Sequence, residues 1–390
     1  MSGRPLIPLS PLHTVVKGRG VAWTQAHRHD SVERQPEDDG WGALEQRQAE
    51  REVWRPQTTV RDEQVRTLIS RNDSPDIGFD QSINPYRGCE HGCVYCYARP
   101  SHAWLGLSPG LDFETQLVAK VNAVDCLRAE LARPGHVPSP IAVGTITDAY
   151  QPIERERGLT RGLLQLLGEC AHPYSVITKS AGVERDLDLI APMAAAGRAM
   201  VHVSLTTLDP LLARRLEPRA AAPQRRLQTI RRLSEAGVPV GVSVSPLIPF
   251  LNEPELERIL AAAREAGARH AFGIVLRLPW EVNPIFQQWL QQHYPERAER
   301  VMARVREMRG GADNDARFGL RMKGQGVWAE LLRQRLRKAC ARLGLSGERL
   351  PLDGRAFRPP PRPQRPGSRP MSSGVVPQPQ ADPSPQFTLF

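Results

Sequence analysis

Long apolar runs are missing from this sequence. No stretch approaches the roughly 18 consecutive apolar residues that a membrane-spanning helix needs. The first residues also lack the basic and then apolar pattern of an export signal. We therefore expect a cytoplasmic protein. The charged fraction of 24% is ordinary for a soluble globular protein, and 390 residues suffice for one large α/β domain or two smaller ones.

Cysteine is also scarce, with six in the whole chain, and a reducing cytoplasm does not support a framework of disulfides. Three of the six, Cys89, Cys93 and Cys96, fall within eight residues. Clustered cysteines in such a setting indicate metal binding or catalysis. The other three lie in apparently helical, partly apolar stretches, and we expect them to be small buried packing residues: Cys126, Cys170 and Cys340.

Acidic residues are outnumbered by basic ones, which gives a formal net charge of +10 and a pI near 9.7. A charge of this sign favours polyanionic partners such as nucleic acid. Part of the excess is arginine near the C-terminus. The alternative is that this arginine only keeps a disordered tail in solution. Charge alone therefore leaves nucleic-acid binding open.

The two ends of the chain have little apolar periodicity. Residues 1–60 are polar and charged, and we predict a flexible N-terminal arm that is extended or partly ordered. Residues 356–390 contain ten prolines, and we predict a disordered tail with local polyproline II character. Between them we place a core domain at 61–295 and a helical extension at 296–355.

Short apolar runs alternate with amphipathic stretches between these ends. The predicted strands are 141–146, 174–178, 199–205, 238–244 and 271–276, with a further strand expected just before Cys89. The predicted helices are 117–131, 157–169, 186–195, 225–236, 253–266, 284–291, 296–308 and 326–343. Six strand–helix units predict an α/β fold, a partial (β/α)6 TIM-like barrel with its chemistry at the carboxyl ends of the strands.

The clustered cysteines lie in the segment 84–100, which reads NPYRGCEHGCVYCYARP. Its two glycines let the backbone turn tightly enough to aim three thiolates at one point. Three thiolates bind either zinc or an iron–sulfur cluster. With His91 they form a possible Cys₃His zinc site, although the position of His91 between two of the cysteines strains such a site. Iron–sulfur electron carriers use four protein thiolates, so a loop with three leaves one iron free to bind a substrate.

The spacing C-x₃-C-x₂-C, with an aromatic residue directly before the last cysteine, resembles the signature loop of the radical S-adenosylmethionine superfamily. The segments NPYRG at 84–88, TDAYQP at 147–152 and TKS at 178–180 are similar to its spore photoproduct lyase-like branch, in particular to a bacterial subfamily with a long N-terminal arm. The resemblance covers most of residues 60–345.

The resemblance implies a 4Fe–4S cluster held by Cys89, Cys93 and Cys96. In that superfamily the open iron binds S-adenosylmethionine, and one electron breaks its sulfur–C5′ bond. The products are methionine and a 5′-deoxyadenosyl radical that abstracts hydrogen. The chain is thus expected to be a radical enzyme with a radical S-adenosylmethionine barrel.

Carried onto this sequence, the resemblance also implies residues that contact S-adenosylmethionine. Tyr95 would pack beside the cluster and the adenosyl group, and Ser204 would reach the ribose. Thr147 and Asp148 would hold the methionine amino end, and Lys179 would pair with the methionine carboxylate. A zwitterion needs one acid and one base, which Asp148 and Lys179 supply at consecutive predicted strand ends. Taken singly, they are more often a strand-end cap and a solvated charge.

Two charged segments stay open. The segment 217–219, Glu-Pro-Arg, with Arg225 and Arg226 after it, contacts ribose or substrate, or forms a salt-bridged turn. The segment 277–281, RLPWE, closes the barrel mouth, binds substrate or forms a structural ion pair.

One departure from the resemblance concerns the reaction. Spore photoproduct lyase returns a hydrogen atom to its product radical from a cysteine at the end of the second strand, where this sequence has Thr145. The threonine O–H bond is much stronger than a thiol S–H bond. We therefore expect the fold and cofactor to be shared and the reaction to differ.

The last five residues resemble peptides by which bacterial repair and replication proteins dock on the sliding DNA clamp: Gln386, Phe387, Thr388, Leu389 and Phe390. A flexible proline-rich linker suits such a motif. Five-residue matches also arise by chance.

The leading hypothesis is a radical S-adenosylmethionine enzyme that receives electrons from a reductant such as flavodoxin or ferredoxin. It acts on DNA or another nucleic acid, or on another large substrate. One alternative is a non-catalytic, zinc-stapled protein that associates with nucleic acid. Another is a radical enzyme with a small-molecule or protein substrate. The metal content of the protein separates the first two hypotheses, because the radical enzyme contains iron and the zinc-stapled protein contains zinc.

Overall fold

Ten strands in two sheets are found in the computed structural model, which describes residues 18–30, 56–348 and 350–361. The strands are β1 (Thr59–Glu63), β2 (Ser70–Arg71), β3 (Gln81–Ile83), β4 (Tyr86–Arg87), β5 (Gln116–Lys120), β6 (Ile141–Val143), β7 (Tyr174–Thr178), β8 (Ala199–Ser204), β9 (Val240–Leu247) and β10 (His270–Val275). The main sheet has the order β2-β3-β6-β7-β8-β9-β10, and all its pairs are parallel except β2 with β3. The smaller sheet has the order β1-β5-β4.

Helices connect the parallel strands and cover the main sheet. They are α1 (Asp112–Thr115), α2 (Ala123–Leu131), α3 (Glu154–Arg157), α4 (Leu159–Glu169), α5 (Leu187–Ala195), α6 (Pro210–Leu216), α7 (Pro223–Glu235), α8 (Leu256–Glu265), α9 (Val282–His293), α10 (Pro295–Met308) and α11 (Gly326–Leu343). Short 3₁₀ turns lie at Arg99–Leu105, Ala181–Asp186 and Glu253–Glu255. In the part of the chain that is described, no helix is both long and apolar enough to cross a membrane.

Apolar periodicity explains how these elements form one core. In α8 the buried residues Leu256, Ile259, Leu260 and Ala263 lie on a single helix face. That face packs against strands whose Val and Ile side chains are buried in the same cluster, and each large apolar side chain buried contributes roughly 1.5–3 kcal/mol. Six consecutive parallel strands, from β3 to β10, confirm the predicted partial (β/α)6 barrel.

The predicted helix 117–131 is wrong in its first half. Residues Gln116–Lys120 form β5, which pairs with β1 and β4, and only Ala123–Leu131 is helical. Leu117, Val118 and Ala119 are all buried in this small sheet, so neighbouring strands decide the conformation rather than local periodicity. The other predicted strands and helices are present, with ends that differ by up to three residues.

Parts of the predicted flexible arm and disordered tail are packed on the domain. In the N-terminal arm, Arg19 and Val21 are buried, and the last residues of the arm begin strand β1. At the other end, the Phe357 ring lies 5.3 Å from the His136 ring and 5.2 Å from the His172 ring. The candidate clamp peptide, 386–390, lies outside the described residues.

Candidate active site

The cysteine loop, residues 88–98, begins directly after β4 in a tight turn. Cys89 donates its backbone N–H to the Phe113 carbonyl at 2.9 Å. Gly88 has a φ of +76°, and a Cβ there would lie 2.8 Å from the Leu117 side chain. Gly92 also has a positive φ, of +68°. Glycine alone meets these demands without strain, in agreement with the sequence prediction.

The three thiols of the loop share one largely buried neighbourhood. Cys89 and Cys93 are buried, Cys96 is half-buried, and Cys93 is close enough to both others to interact electrostatically with each. Burial raises the pKa of Cys89, and it raises the pKa of Cys93 to about 12, although the Lys179 ammonium group acts in the opposite direction there. Thiolates in this setting need a compensating positive charge. A donor set of three such sulfurs fits an iron–sulfur cluster with one open iron.

A buried arginine fixes the loop backbone. Arg99 Nε donates to the Cys93 carbonyl at 2.8 Å, and its Nη1 donates to the carbonyls of Pro109 and Gly110 at 3.1 and 2.8 Å. Its Nη2 pairs with Glu114 at 2.5 Å, and both side chains are 0% exposed. Removing one partner of such a pair leaves an uncompensated buried charge, which costs about 3–5 kcal/mol. The position of Cys93 therefore depends on Arg99.

An apolar core lies under the loop. Cys93 and Val94 belong to a buried cluster with Leu216, Phe286 and Trp289, to which α9 and α10 contribute. The Val94 N–H donates to the Leu216 carbonyl at 3.1 Å. Helix α10, part of the predicted helical extension, thus helps to build the floor of the site and to keep water from it.

Thr147 follows β6 and holds the loop from the sheet side. Its hydroxyl donates to the Gly88 carbonyl at 2.7 Å, and the Gln151 amide donates to the same oxygen at 3.2 Å. The Gln151 side-chain oxygen in turn accepts the N–H of Glu90 at 2.9 Å. The structure thus places Thr147 against the cysteine loop. Its contact with S-adenosylmethionine stays a prediction.

Asp148 joins the ends of β6 and β7 to the loop. Its carboxylate accepts hydrogen bonds from the Thr178 hydroxyl and the Lys179 backbone N–H, each at 2.7 Å, and lies 3.3 Å from His91 Nδ1. Burial would raise the pKa of Asp148, but His91 and the hydrogen bonds outweigh it, so the net shift is downward. The His91 ring is therefore directed to Asp148.

Glu217 is the centre of a buried network in the segment that the sequence left open. Its carboxylate accepts hydrogen bonds from the hydroxyls of Tyr95 and Thr206 and pairs with the Arg226 guanidinium. Burial opposes ionisation, but the Arg226 and Lys179 cations lower the pKa of Glu217 to about 2. The ion-pair alternative is thus observed, in the core rather than in a surface turn.

Lys179 and Ser204 lie around the same network. The Lys179 Nζ is 5.9 Å from the centre of the Tyr95 ring. Burial acts to lower the pKa of Lys179. The charges of Cys93 and Glu217 act in the opposite direction and outweigh burial, so the pKa is raised and the ammonium form is favoured. Ser204 is buried at the end of β8, and its carbonyl accepts from Arg226 at 3.0 Å.

The solvent side of the site carries exposed aromatic rings. Tyr97, next to Cys96 and 49% exposed, donates its hydroxyl to the Thr145 carbonyl. The Arg277 guanidinium lies 5.9 Å from the Tyr97 ring. Position 145, where this sequence has threonine instead of the cysteine that the resemblance expects, therefore lies beside the cysteine loop.

Two tryptophans form a second exposed group. Trp104 and Trp280 are 72% and 67% exposed, and the Arg28 guanidinium lies 5.7 Å and 4.4 Å from their ring centres. Arg28 also makes two hydrogen bonds to the Glu281 carboxylate, at 3.0 and 2.9 Å. The structural ion pair considered for 277–281 therefore involves the N-terminal arm.

Other candidate residues have structural partners. The scattered cysteines pack in the main hydrophobic core, as predicted: Cys126, Cys170 and Cys340. Arg225 pairs with Glu184 at 2.5 Å, and Arg219 pairs with Glu90 at 3.0 Å. Among the residues described, no three Cys, His, Asp or Glu side chains are grouped as ligands of a single metal ion.

Comparison with known proteins agrees with this architecture. The family model of the radical SAM superfamily matches residues 83–263. An uncharacterised protein of Mycobacterium tuberculosis is 35% identical over 277 residues, which cover 70% of this chain and 78% of the relative. An uncharacterised protein of Methanocaldococcus jannaschii is 29% identical over 217 residues, 56% of this chain and 77% of the relative.

Solved structures of spore photoproduct lyase share the fold. The structure complexed with dinucleoside spore photoproduct has a TM-score of 0.51 and 18% identity, and covers 74% of this chain and 81% of the lyase. Another spore photoproduct lyase structure, with bound AdoMet, has a TM-score of 0.50 and 17% identity and covers 73% and 80%. The radical SAM superfamily uses a 4Fe–4S cluster and S-adenosylmethionine. This chain belongs to the radical SAM superfamily, with the fold of its spore photoproduct lyase-like branch, and is a radical SAM enzyme.

Proposed function

We propose that Cys89, Cys93 and Cys96 hold the 4Fe–4S cluster with which this enzyme cleaves S-adenosylmethionine. The observation that carries the proposal is the cysteine loop, in which the Cys93 thiol is close enough to both other thiols to interact electrostatically, while Arg99 and Thr147 hold the loop backbone. His91, which a Cys₃His zinc site would require, is directed to Asp148. When bound, the cluster supplies the electron that breaks the sulfur–C5′ bond of S-adenosylmethionine.

The side chains around the loop match the two ends of that molecule. We assign the Lys179 ammonium to the methionine carboxylate, because it lies beside Tyr95 close to Cys93. Thr147 and Asp148 lie on the side of the methionine amino group, and Ser204, at the next strand end, lies on the side of the ribose. We assign Tyr95 to the side of the cluster and the adenosyl group, with its hydroxyl fixed by Glu217.

The six cysteines offer an internal test of the ligand assignment. Each is changed to Ala, the variants are reconstituted anaerobically with iron and sulfide, and bound iron and zinc are quantified. We expect the 4Fe–4S cluster to be lost on changing Cys89, Cys93 or Cys96. The matched controls should keep it: Cys126→Ala, Cys170→Ala and Cys340→Ala. A cluster that survives in a loop variant, or zinc in place of iron, contradicts the proposal.

We propose further that the substrate is a nucleic acid. The support is the net charge of +10, together with the exposed Trp104 and Trp280, which Arg28 bridges. Exposed aromatic rings beside cations stack on bases of single strands, at about 1–3 kcal/mol per base. Spore photoproduct lyase, which shares the fold, has been solved with a dinucleoside lesion.

Anisotropy of a labelled single-stranded DNA measures this directly. We expect Trp104→Ala and Trp280→Ala each to weaken binding about tenfold, which follows from the stacking free energy. Val327→Ala, at an exposed apolar position on α11, serves as the control. Equal affinity of all three variants and the native chain argues instead for a small-molecule or protein substrate.

The reaction differs from hydrogen return through a thiol. Thr145 stands at the position where the resemblance expects that cysteine, and its backbone carbonyl holds Tyr97. A lyase assay on spore photoproduct is therefore expected to give no repair by that route. If the native chain does repair the lesion and Thr145→Ala abolishes that repair, this reasoning is contradicted. Repair that Thr145→Ala leaves unchanged gives no information about the route.

Partners outside the site remain proposals. The electron comes from a reductant such as flavodoxin or ferredoxin, which fits a cytoplasmic enzyme. The peptide Gln386, Phe387, Thr388, Leu389 and Phe390 is proposed to dock on the sliding clamp. Deletion of these five residues should abolish clamp binding in a pull-down, and binding that survives the deletion ends this part of the proposal.

A further inference from the structure

The N-terminal arm lies directly on the back of the cysteine loop. Gly20 approaches Gly92 so closely that a Cβ at position 20 would lie 1.8 Å from the Gly92 carbonyl oxygen. A Cβ on Gly92 would lie 2.8 Å from a carboxylate oxygen of Glu114. A side chain at position 20 would therefore collide with the backbone of the loop, and one at position 92 would collide with Glu114. The contact falls between two of the proposed ligands, Cys89 and Cys93.

One buried carboxylate joins the arm to the loop. Glu114 accepts the backbone N–H of Gly20 at 2.9 Å and that of Val21 at 3.1 Å, and it pairs with Arg99 at 2.5 Å. Arg99 in turn donates to the carbonyl of Cys93 at 2.8 Å. Hydrogen bonds to a charged group are about twice as strong as neutral ones. A continuous chain of charge-assisted contacts therefore runs from the arm to a proposed cluster ligand.

Arg19 makes a second connection, on the Cys89 side of the loop. Its guanidinium donates to the carbonyl of Glu114 at 2.7 Å and to the hydroxyl of Thr58 at 3.0 Å. The Thr58 hydroxyl donates to the Glu90 carboxylate at 2.7 Å. Because Glu90 directly follows Cys89, the arm supports both halves of the turn that carries the first two thiols.

The arm then continues to the far end of the main sheet. The Trp23 carbonyl accepts the N–H of Leu111 at 3.0 Å, and the Gln25 carbonyl accepts the Ser108 hydroxyl at 2.8 Å. Beyond them, Arg28 pairs with Glu281, which follows the last strand, β10. The described part of the arm thus runs from the cysteine loop, which follows β3 and the short strand β4, to the loop after β10. These are the two ends of the parallel order in the open sheet.

We infer that residues 19–21 are positioning residues of the cluster site and that Glu114 is their anchor. The inference rests on the proposed function, because it presupposes that the loop holds a cluster. The described part of the arm supports the backbone between Cys89 and Cys93 through Glu114 and through its contact with Gly92. Without the arm, Glu114 loses two donors, and the loop is free to release iron and to admit oxygen.

The test uses the full chain with Gly20→Val, which places a side chain where the Gly92 carbonyl lies. Thr24→Val, a β-branched change at an exposed position of the same arm, is the matched control. After anaerobic reconstitution we measure iron per chain, the EPR signal of the reduced cluster and the rate of cluster bleaching in air. Far-UV circular dichroism and thermal unfolding report on the fold.

We expect Gly20→Val to bleach about tenfold faster than the native chain, or to bind iron about tenfold more weakly, the size of effect usual for residues that support metal ligands. Its EPR signal should change while its circular dichroism does not, and Thr24→Val should match the native chain. Arg19→Met, which removes hydrogen bonds without a clash, should show the same direction of change and replaces Gly20→Val if that variant does not fold.

Two results would overturn the inference, and they are distinguishable. If the native chain loads a cluster and both arm variants match it in iron content, EPR signal and bleaching rate, the inference alone fails. If the native chain itself loads no cluster, the proposed function fails, and this inference fails with it.

Discussion

Changing Glu217 to Gln removes the charge from the buried pair with Arg226. The guanidinium is 2% exposed, and its other described hydrogen bonds go to the uncharged carbonyls of Ser204 and Ala221. An uncompensated buried charge costs about 3–5 kcal/mol. Glutamine also turns N–H donors toward groups that are themselves donors. We therefore expect the free energy of unfolding to fall by roughly 3–5 kcal/mol, a large share of the 5–15 kcal/mol that is usual for a folded protein.

Urea unfolding of the iron-free chain, followed by circular dichroism, measures this loss. The matched control is Glu330→Gln on α11, whose partly exposed pair with Arg333 should contribute little to stability. The double variant Glu217→Leu with Arg226→Leu should lose less than the sum of the two single changes, because no charge is left unpaired. A loss for Glu217→Gln no larger than that for the control would refute the buried-pair argument.

The remaining predictions concern the loop, the ligand and pH. Thr147→Val removes the hydrogen bond from the Thr147 hydroxyl to the Gly88 carbonyl. We expect the free energy of unfolding to fall by about 1 kcal/mol and the variant to hold less iron after reconstitution. Iron retention equal to that of the native chain would contradict this prediction. Lys179→Met should weaken S-adenosylmethionine binding to the cluster-loaded protein at least tenfold. This is the effect of losing a hydrogen bond to a charged group, which contributes about 1.5 kcal/mol or more. An unchanged affinity, measured by calorimetry, would contradict the assigned contact. Although burial acts in the opposite direction, hydrogen bonds led by Arg225 lower the pKa of Glu184 to about 2 from 4.5. The lowered folded-state pKa means that its stabilisation is complete above pH 4.5 and is lost as pH falls toward 2. Between pH 5 and pH 3 the native chain should therefore lose about 1–2 kcal/mol more than Glu184→Gln, after allowance for partial solvent screening, and parallel losses would contradict this.

The parallel sheet could be predicted because its strands carry their own signal. Residues 174–178 and 326–343 were predicted with the bounds that the structure has, since an apolar β-branched run and an amphipathic helical pattern are local properties. The stretch 117–131 was not, because β5 owes its conformation to β1, which begins in the N-terminal arm. A partner more than 50 residues distant along the chain leaves no trace in local periodicity.

The candidate site could be predicted only in part, for a similar reason. The cysteine spacing and the strand-end positions of Asp148 and Lys179 are visible in sequence. The role of Glu114 is not, and that of Glu217 stayed open, because their partners Arg19 and Tyr95 lie about 95 and 122 residues away. For Glu114 the sequence offers only an acidic residue inside an apolar stretch.

The zinc-staple alternative and the radical enzyme make opposite demands on the same loop. A structural zinc site would need His91 beside the thiols, whereas the structure pairs His91 with Asp148 at 3.3 Å. It would also have no use for the ordered set of Tyr95, Lys179 and Glu217 around Cys93. The geometry and the superfamily match therefore favour the same conclusion.

The central claim is that this loop supports reductive cleavage of S-adenosylmethionine. The most direct test is anaerobic: the reconstituted chain is reduced, S-adenosylmethionine is added, and 5′-deoxyadenosine is quantified by mass spectrometry, with Cys93→Ala as the control. The account predicts 5′-deoxyadenosine from the native chain and none from the variant. Absence of the product from a fully loaded native chain, with single-stranded DNA present, or equal amounts from the variant, would contradict it.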